Sequence, residues 1–98
     1  MNNITAKEVE EKLNAKEKIH LIDVREVDEV KEGTIPGVIH IPLGLLEARM
    51  PELNKKNVYI MVCRSGGRSG SAAQFLEGYG FQVLNMVGGM NDWEGPMA

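Results

Sequence analysis

One segment of this chain brings a thiol, two arginines and two adjacent glycines together, and chemistry is expected there. It consists of Cys63-Arg64-Ser65-Gly66-Gly67-Arg68-Ser69. Adjacent glycines adopt backbone angles that other residues avoid, so successive backbone N–H groups can turn inward and form an anion-binding nest. The arginines add positive charge, which favours the thiolate form of Cys63, the form that acts as a nucleophile. The segment therefore predicts a thiol site beside a bound anion.

Two plainer interpretations of this loop compete with a reactive thiol. Cysteine is often a buried structural residue, and a run of Gly and Ser after a strand is often only a turn. A structural turn has no need for two glycines, two arginines and a helix start around one thiol, which favours the functional interpretation. A nucleotide P-loop would need Lys-Ser or Lys-Thr after its glycines, and Arg68-Ser69 stands there instead.

Composition limits the kind of protein that carries this loop. The chain has 98 residues, 43% of them hydrophobic, which predicts one domain spanning 1–98. Its formal net charge of −3 argues against a nucleic-acid surface, because neutralising phosphates needs many clustered Lys and Arg residues. Cys63 is the single cysteine, which excludes an internal disulfide and a cysteine-based metal cage.

The sequence shows neither a membrane-spanning segment nor an export signal. No stretch approaches the roughly 20 apolar residues that cross a bilayer. The polar start Met1-Asn2-Asn3 lacks the apolar core of a signal peptide. We therefore expect a cytoplasmic protein that acts without a membrane or a nucleic-acid partner.

Short strands alternating with short helices must position the loop. Nearly continuous apolar runs, typical of parallel strands covered on both faces, predict strands at 19–24, 38–41, 58–62 and 83–86. Helical patterns and their stop signals predict helices at 6–13, 27–31, 45–50 and 69–79. Thr5 and Glu8 have the spacing of a capping box at the start of the first helix, and Pro51 is expected to end the third. The pattern predicts an α/β fold but leaves the strand order open.

Cys63 directly follows the strand at 58–62 and precedes the helix at 69–79. In open α/β sheets, ligands bind beyond the carboxyl ends of the strands, which is where this cysteine is expected. The positive end of the following helix dipole would face the same place.

Four blocks in order resemble the rhodanese-like domain family over nearly the whole chain. They are Leu21-Ile22-Asp23-Val24-Arg25-Glu26 with Glu29 and Gly33, then 35–43, the loop at 63–69, and 87–93 ending in Trp93. Thr34 departs from the pattern, since relatives often have histidine there. The resemblance implies a three-layer α/β fold, with a mostly parallel sheet of four to five short strands and helices on both faces.

What the resemblance implies for function is sulfur transfer through a persulfide on Cys63. The thiolate would attack the outer sulfur of thiosulfate or another sulfane donor, and cyanide or a thiol would then remove that sulfur. Backbone N–H groups from Arg64 to Ser69 would stabilise the anionic states, and Arg64 and Arg68 would dock the donor. Asp23 and Arg25 would help to shape the pocket, or form an ordinary ion pair that holds the loop. Neither a metal nor a cofactor is implied.

Two other functions stay open at this point. One is a persulfide carrier that accepts sulfur from a protein donor and passes it to another protein. The other is a cysteine-dependent phosphatase or arsenate reductase, for which the related enzymes place five residues between cysteine and arginine. Only four separate Cys63 from Arg68, which favours sulfur over phosphate. His20 and His40 lie within apolar strands without metal-ligand companions, and we assign them no role.

Overall fold

The computed structural model describes residues 2–98, and Met1, the first residue of the polar start, lies outside them. Five strands are present: β1 (Asn2–Thr5), β2 (His20–Asp23), β3 (Ile39–His40), β4 (Val58–Val62) and β5 (Gln82–Val87). Four α-helices accompany them: α1 (Ala6–Asn14), α2 (Val27–Lys31), α3 (Leu46–Arg49) and α4 (Gly67–Gly78). Short 3-10 helices occupy Leu43–Leu45, Met50–Glu52 and Gly89–Asp92.

All five strands pair in parallel, in the order β1-β5-β4-β2-β3. The central strand is β4, whose Met61 aligns with Ile22 of β2 on one side and with Asn85 of β5 on the other. Because the carboxyl ends of parallel strands meet at one edge, the segments that follow β4, β2 and β5 converge there. Cys63 lies at this edge.

Side chains of β4, and of Cys63 directly after it, alternate between two buried clusters, one on each face of the sheet. Tyr59, Met61 and Cys63 belong to the first cluster, and Ile60 and Val62 belong to the second. This alternation follows from the two-residue period of a strand. Both faces are covered, which accounts for the continuous apolar run in the sequence.

Helices bury opposite faces of the sheet. The helix α4 packs Ala72, Ala73 and Leu76 into the first cluster, and its small alanines let the helix lie close to the strands. The helix α1 packs Ala6 and Val9 into the second cluster. The predicted three-layer α/β arrangement is confirmed.

The capping box and the strand before the loop are confirmed. Thr5 Oγ1 accepts a hydrogen bond from the backbone N–H of Glu8 at 3.0 Å, and Glu8 accepts one from Thr5 N–H at 3.0 Å. The strand predicted at 58–62 and the helix predicted at 27–31 match the structure residue for residue.

Several predicted bounds differ from the structure: β2 and β3 are shorter than the strands predicted at 19–24 and 38–41, β5 is longer than the one predicted at 83–86, and α4 begins at Gly67 rather than at Ser69. The segment 45–50 is not one helix: a 3-10 turn precedes α3, and a second one includes Pro51, whose missing N–H is not needed in a first turn. No strand was predicted at 2–5, where only Ile4 is buried, yet this segment pairs with β5 at the sheet edge.

Candidate active site

Cys63 lies in the connection between β4 and α4, with its sulfur under the loop backbone. The residue is only 1% exposed. Gly66 donates its backbone N–H to Cys63 Sγ at 3.0 Å. Gly66 itself has φ +102°, and a Cβ at this position would lie 3.3 Å from the backbone nitrogen of Gly88. Glycine is therefore required here both by the backbone angle and by the close approach of the final turn, which consists of Gly88 and the 3-10 helix Gly89–Asp92.

The final turn holds the start of the loop by its carbonyl groups. Met90 donates its backbone N–H to the carbonyl of Cys63 at 2.8 Å, and Asn91 donates to the carbonyl of Arg64 at 2.9 Å. A Cβ on Gly89, which has φ +56°, would collide with these same backbone atoms. With the carbonyls engaged on this side, the loop N–H groups are free to face the sulfur.

Two buried polar side chains complete the contacts near the sulfur. Ser69 Oγ lies 3.3 Å from Cys63 Sγ and 2.6 Å from Asn85 Oδ1. Asn85 Nδ2 donates to the carbonyl of Gly66 at 3.1 Å. The loop is therefore tied to β5 as well as to the final turn.

Opposing influences act on the ionisation of Cys63. Burial raises the pKa of the thiol, whereas hydrogen bonding by the backbone N–H groups of Ser69, Gly66 and Ser65 lowers it. The lowering contributions dominate, so the pKa lies below its ordinary value. The site therefore favours the thiolate, the nucleophilic form of cysteine.

Arg68 is held by Glu29 of α2 rather than left free beside the sulfur. Its Nη1 and Nη2 donate to the two carboxylate oxygens of Glu29 at 2.7 and 2.8 Å. The Arg68 hydrogen bonds, together with the backbone N–H of Glu26, lower the pKa of Glu29 to about 2. This two-bond ion pair fastens the loop to α2.

Arg64 is the more accessible of the two loop arginines. Its side chain is 61% exposed, and its Nε lies 3.4 Å from Glu29 Oε2. Arg64 and Arg25 both line an open cleft of about 350 Å³, together with Met90 and Trp93. Arg64 is the one residue of the loop in the lining of this cleft, which also includes the acidic Glu32.

Asp23 and Arg25 form a buried ion pair at the carboxyl end of β2. Arg25 Nη2 lies 2.8 Å from Asp23 Oδ2, and Thr34 Oγ1 donates to the same oxygen at 2.9 Å. Arg25 also donates to the carbonyl of Gly33 at 2.8 Å. These contacts support the structural interpretation of the pair: it holds the segment after α2 against the sheet.

The two histidines make contacts away from the thiol. The ring of His20 packs on that of Tyr59 with 5.8 Å between centroids, and His40 Nε2 lies 2.7 Å from the carbonyl oxygen of Arg25. Within residues 2–98, no group of three or more His, Cys, Asp or Glu side chains is placed to hold a metal ion. The helices of the same range are too short or too polar to cross a membrane.

Glu29 and Asn85 belong to the site, although no role was predicted for either. Glu29 was part of the first block that resembles the rhodanese-like family. Its partner Arg68 is 39 positions away in the sequence, so spacing alone did not reveal the ion pair. Asn85 carried a clearer signal, because it is the one polar residue of the predicted strand at 83–86. A buried amide in such a run needs hydrogen-bonding partners, and here they belong to the loop.

Comparison with known proteins identifies the family. The sequence model of the rhodanese-like domain family matches residues 5–96 of this chain. This chain therefore belongs to the rhodanese-like domain family.

Individual relatives agree with this assignment. The chain is 42% identical over 95 residues to "Putative sulfurtransferase YtwF" of Bacillus subtilis (strain 168), covering 97% of this chain and 92% of that one. It is also 42% identical to "Putative sulfur carrier protein YrkF" of the same organism, covering 94% of this chain but 50% of that protein. The crystal structure of a rhodanese-like domain protein from Staphylococcus aureus superimposes with a TM-score of 0.92 at 33% identity, over 97% of this chain and 93% of that one.

The Glu29–Arg68 pair makes a pH-dependent contribution to stability that a substitution can isolate. The folded-state pKa of Glu29 is about 2 and its ordinary value is 4.5, so the stabilisation is complete above the ordinary value and is lost as pH falls toward 2. At neutral pH, Glu29→Gln is expected to lower the free energy of unfolding by about 1 kcal/mol, since Arg68 is partly exposed. Urea unfolding at neutral pH and near pH 2 measures this difference.

Glu32→Gln is the control, because it removes the same charge from an exposed site at the end of the same helix. It should leave the unfolding free energy nearly unchanged. A Glu29→Gln deficit that persists near pH 2 would contradict the ion-pair explanation.

Proposed function

We propose that this protein is a sulfurtransferase that carries a sulfane sulfur as a persulfide on Cys63. The observation that supports this most is the contact of Cys63 Sγ with the Gly66 N–H at the end of β4, under a loop whose first carbonyls are held away by the final turn. The names of the relatives YtwF and YrkF describe sulfur transfer and sulfur carriage. Residues 1–98 would act as a single domain in this reaction.

The reaction proceeds in two substitutions at sulfur. The Cys63 thiolate attacks the outer sulfur of thiosulfate, a new S–S bond forms, and the bond to the SO₃ group breaks so that sulfite leaves with the electron pair. A thiophilic acceptor, cyanide or a thiolate, then attacks the outer sulfur of the persulfide and returns Cys63 as thiolate. No metal or other cofactor takes part in either step.

Backbone N–H groups from Arg64 to Ser69 stabilise the anionic sulfur in both steps. Such fixed donors need no reorganisation when the charge develops, which is how oxyanion holes act. Since Cys63 is 1% exposed, a donor must present its sulfur at the end of a small anionic group that fits into the loop. Arg64, whose side chain is 61% exposed, docks the oxygens of the donor, while Arg68 acts through its ion pair with Glu29 to hold the loop.

A second function, a carrier that passes sulfur between proteins, uses the same persulfide. It is favoured by the similarity to YrkF, whose name describes a sulfur carrier and of which this chain matches half. The two functions differ in the partner and in the rate. A carrier turns over thiosulfate and cyanide slowly but loads one sulfur per chain from a protein donor.

The substitution Cys63→Ser tests the proposed function. Serine keeps the shape of the side chain but is a far weaker nucleophile at neutral pH, so turnover of thiosulfate with cyanide is expected to fall to the rate measured without protein. Thiocyanate formation measures the turnover, and circular dichroism verifies that the variant is folded. Retained turnover in the folded variant would remove Cys63 from the reaction.

The length of the loop predicts negligible phosphatase activity. A phosphate needs room for three equatorial oxygens and a free guanidinium to bind them. Here the ring of backbone N–H groups between Cys63 and Arg68 is one residue shorter than in the related phosphatases, and both Arg68 Nη atoms are bound to Glu29. Hydrolysis of an aryl phosphate should be at least ~100-fold slower than sulfur transfer, since a misplaced group costs about that factor.

Matched variants make this comparison specific. One carries an extra glycine after Gly67, which lengthens the ring, and the other is Cys63→Ser, which measures hydrolysis independent of the thiol. Cys63-dependent release of phosphate by the unmodified protein at its sulfur-transfer rate would refute the loop-length argument.

A further inference from the structure

The Ser69 hydroxyl has two acceptors within reach and only one proton to give. Its oxygen lies 3.3 Å from Cys63 Sγ and 2.6 Å from Asn85 Oδ1. A hydroxyl donates one hydrogen bond at a time and accepts others through its lone pairs. Whether Cys63 meets the donor or the acceptor side of Ser69 therefore depends on Asn85.

The orientation of the Asn85 amide is set by the loop itself. Its Nδ2 lies 3.1 Å from the carbonyl oxygen of Gly66, so the reversed amide would place two acceptor oxygens at that distance. Asn85 is 6% exposed and Ser69 is fully buried, which leaves no solvent to relieve such a contact. The amide oxygen therefore faces Ser69. At 2.6 Å these two oxygens would repel each other unless the hydroxyl proton lay between them.

We propose that Asn85 is a positioning residue that holds the Ser69 hydroxyl proton away from Cys63, so that Ser69 presents its lone pairs to the sulfur. The purpose of this arrangement rests on the proposed sulfur transfer. A lone pair can accept the S–H of the protonated thiol, and it repels the inner sulfur of a persulfide less than it repels a thiolate, because the negative charge then resides on the outer sulfur. The bare thiolate receives hydrogen bonds from backbone N–H groups but none from this hydroxyl.

The consequence for reactivity follows from the link between basicity and nucleophilicity. A thiolate attacks sulfur faster when its pKa is higher, provided that it is ionised at the working pH. By withholding one donor, Asn85 keeps the thiolate reactive, while the Gly66 N–H and its neighbours favour its ionisation. Asn85 thus sets the balance between these two requirements without touching the sulfur.

Charged groups around the site do not differ among the variants that test this proposal. Arg68 interacts electrostatically with Cys63 and is paired with Glu29, which Arg64 also approaches. Asp23 and Arg25 are paired at the end of β2. Ser69 and Asn85 are uncharged, so replacing either with alanine leaves these charges in place.

The experiment measures the pKa of Cys63 by the ultraviolet absorbance of its thiolate as pH is varied. Cys63 is the only cysteine, and Cys63→Ser gives the background from the tyrosines. Ser69→Ala should leave the pKa unchanged or slightly lower, because its backbone N–H is retained and its hydroxyl proton never served the sulfur. Asn85→Ala should lower the pKa by about one unit, since the freed hydroxyl turns to the thiolate. The double variant should return to the wild-type value.

A rise of about one unit in Ser69→Ala would overturn the proposal, because the hydroxyl would then be a donor to the sulfur. Equal pKa values for Asn85→Ala and the double variant would overturn it as well. If Asn85→Ala proves unfolded by circular dichroism, the Ser69→Ala value decides alone. The readout is ionisation and not turnover, so failure of the proposed sulfur transfer would leave this test intact.

Discussion

The structure of the site depends on how the carbonyl groups at the start of the loop are held. The carbonyls of Cys63 and Arg64 accept backbone hydrogen bonds from Met90 and Asn91 at 2.8 and 2.9 Å. A peptide group whose carbonyl is held on one side has its N–H on the other, so this attachment helps to turn the loop amides toward the sulfur. Gly66 and Gly89, both with positive φ, allow the two segments to approach so closely. The rest of the sheet serves to bring β4 and β5 to one edge, where this contact forms.

Charge plays a different part in the site from the one that the sequence suggested. Two arginines beside a cysteine predicted two cations for an incoming anion, but Glu29 binds both nitrogens at the end of Arg68 and neutralises it. Arg64, 61% exposed, is the arginine that remains accessible from the cleft. The thiolate is therefore supported mainly by hydrogen bonds, which a short loop supplies from its own backbone. Fixed dipoles of this kind hold an anion without the mobility of long side chains.

Much of this arrangement could be predicted from the sequence, and the exceptions have physical reasons. The strand at 58–62 was predicted residue for residue because both of its faces are buried, and the start of α1 was predicted because Thr5 and Glu8 cap it locally. The strand β1 could not be recognised, because one buried residue, Ile4, leaves no pattern and its pairing partner lies at the other end of the chain. The roles of Glu29 and Asn85 depend on contacts across the fold. Local spacing carries no information about such contacts, although a polar residue in an apolar strand marks where to look.

The central claim, a persulfide on Cys63, is tested most directly by intact-protein mass spectrometry after incubation with thiosulfate. The proposed mechanism predicts the mass of one added sulfur per chain, located on Cys63 by fragmentation and absent from Cys63→Ser. Treatment with cyanide should return the mass to that of the unmodified chain. A folded protein that takes up no sulfur from thiosulfate or from another sulfane donor, or that takes it up equally without Cys63, would contradict the proposed function.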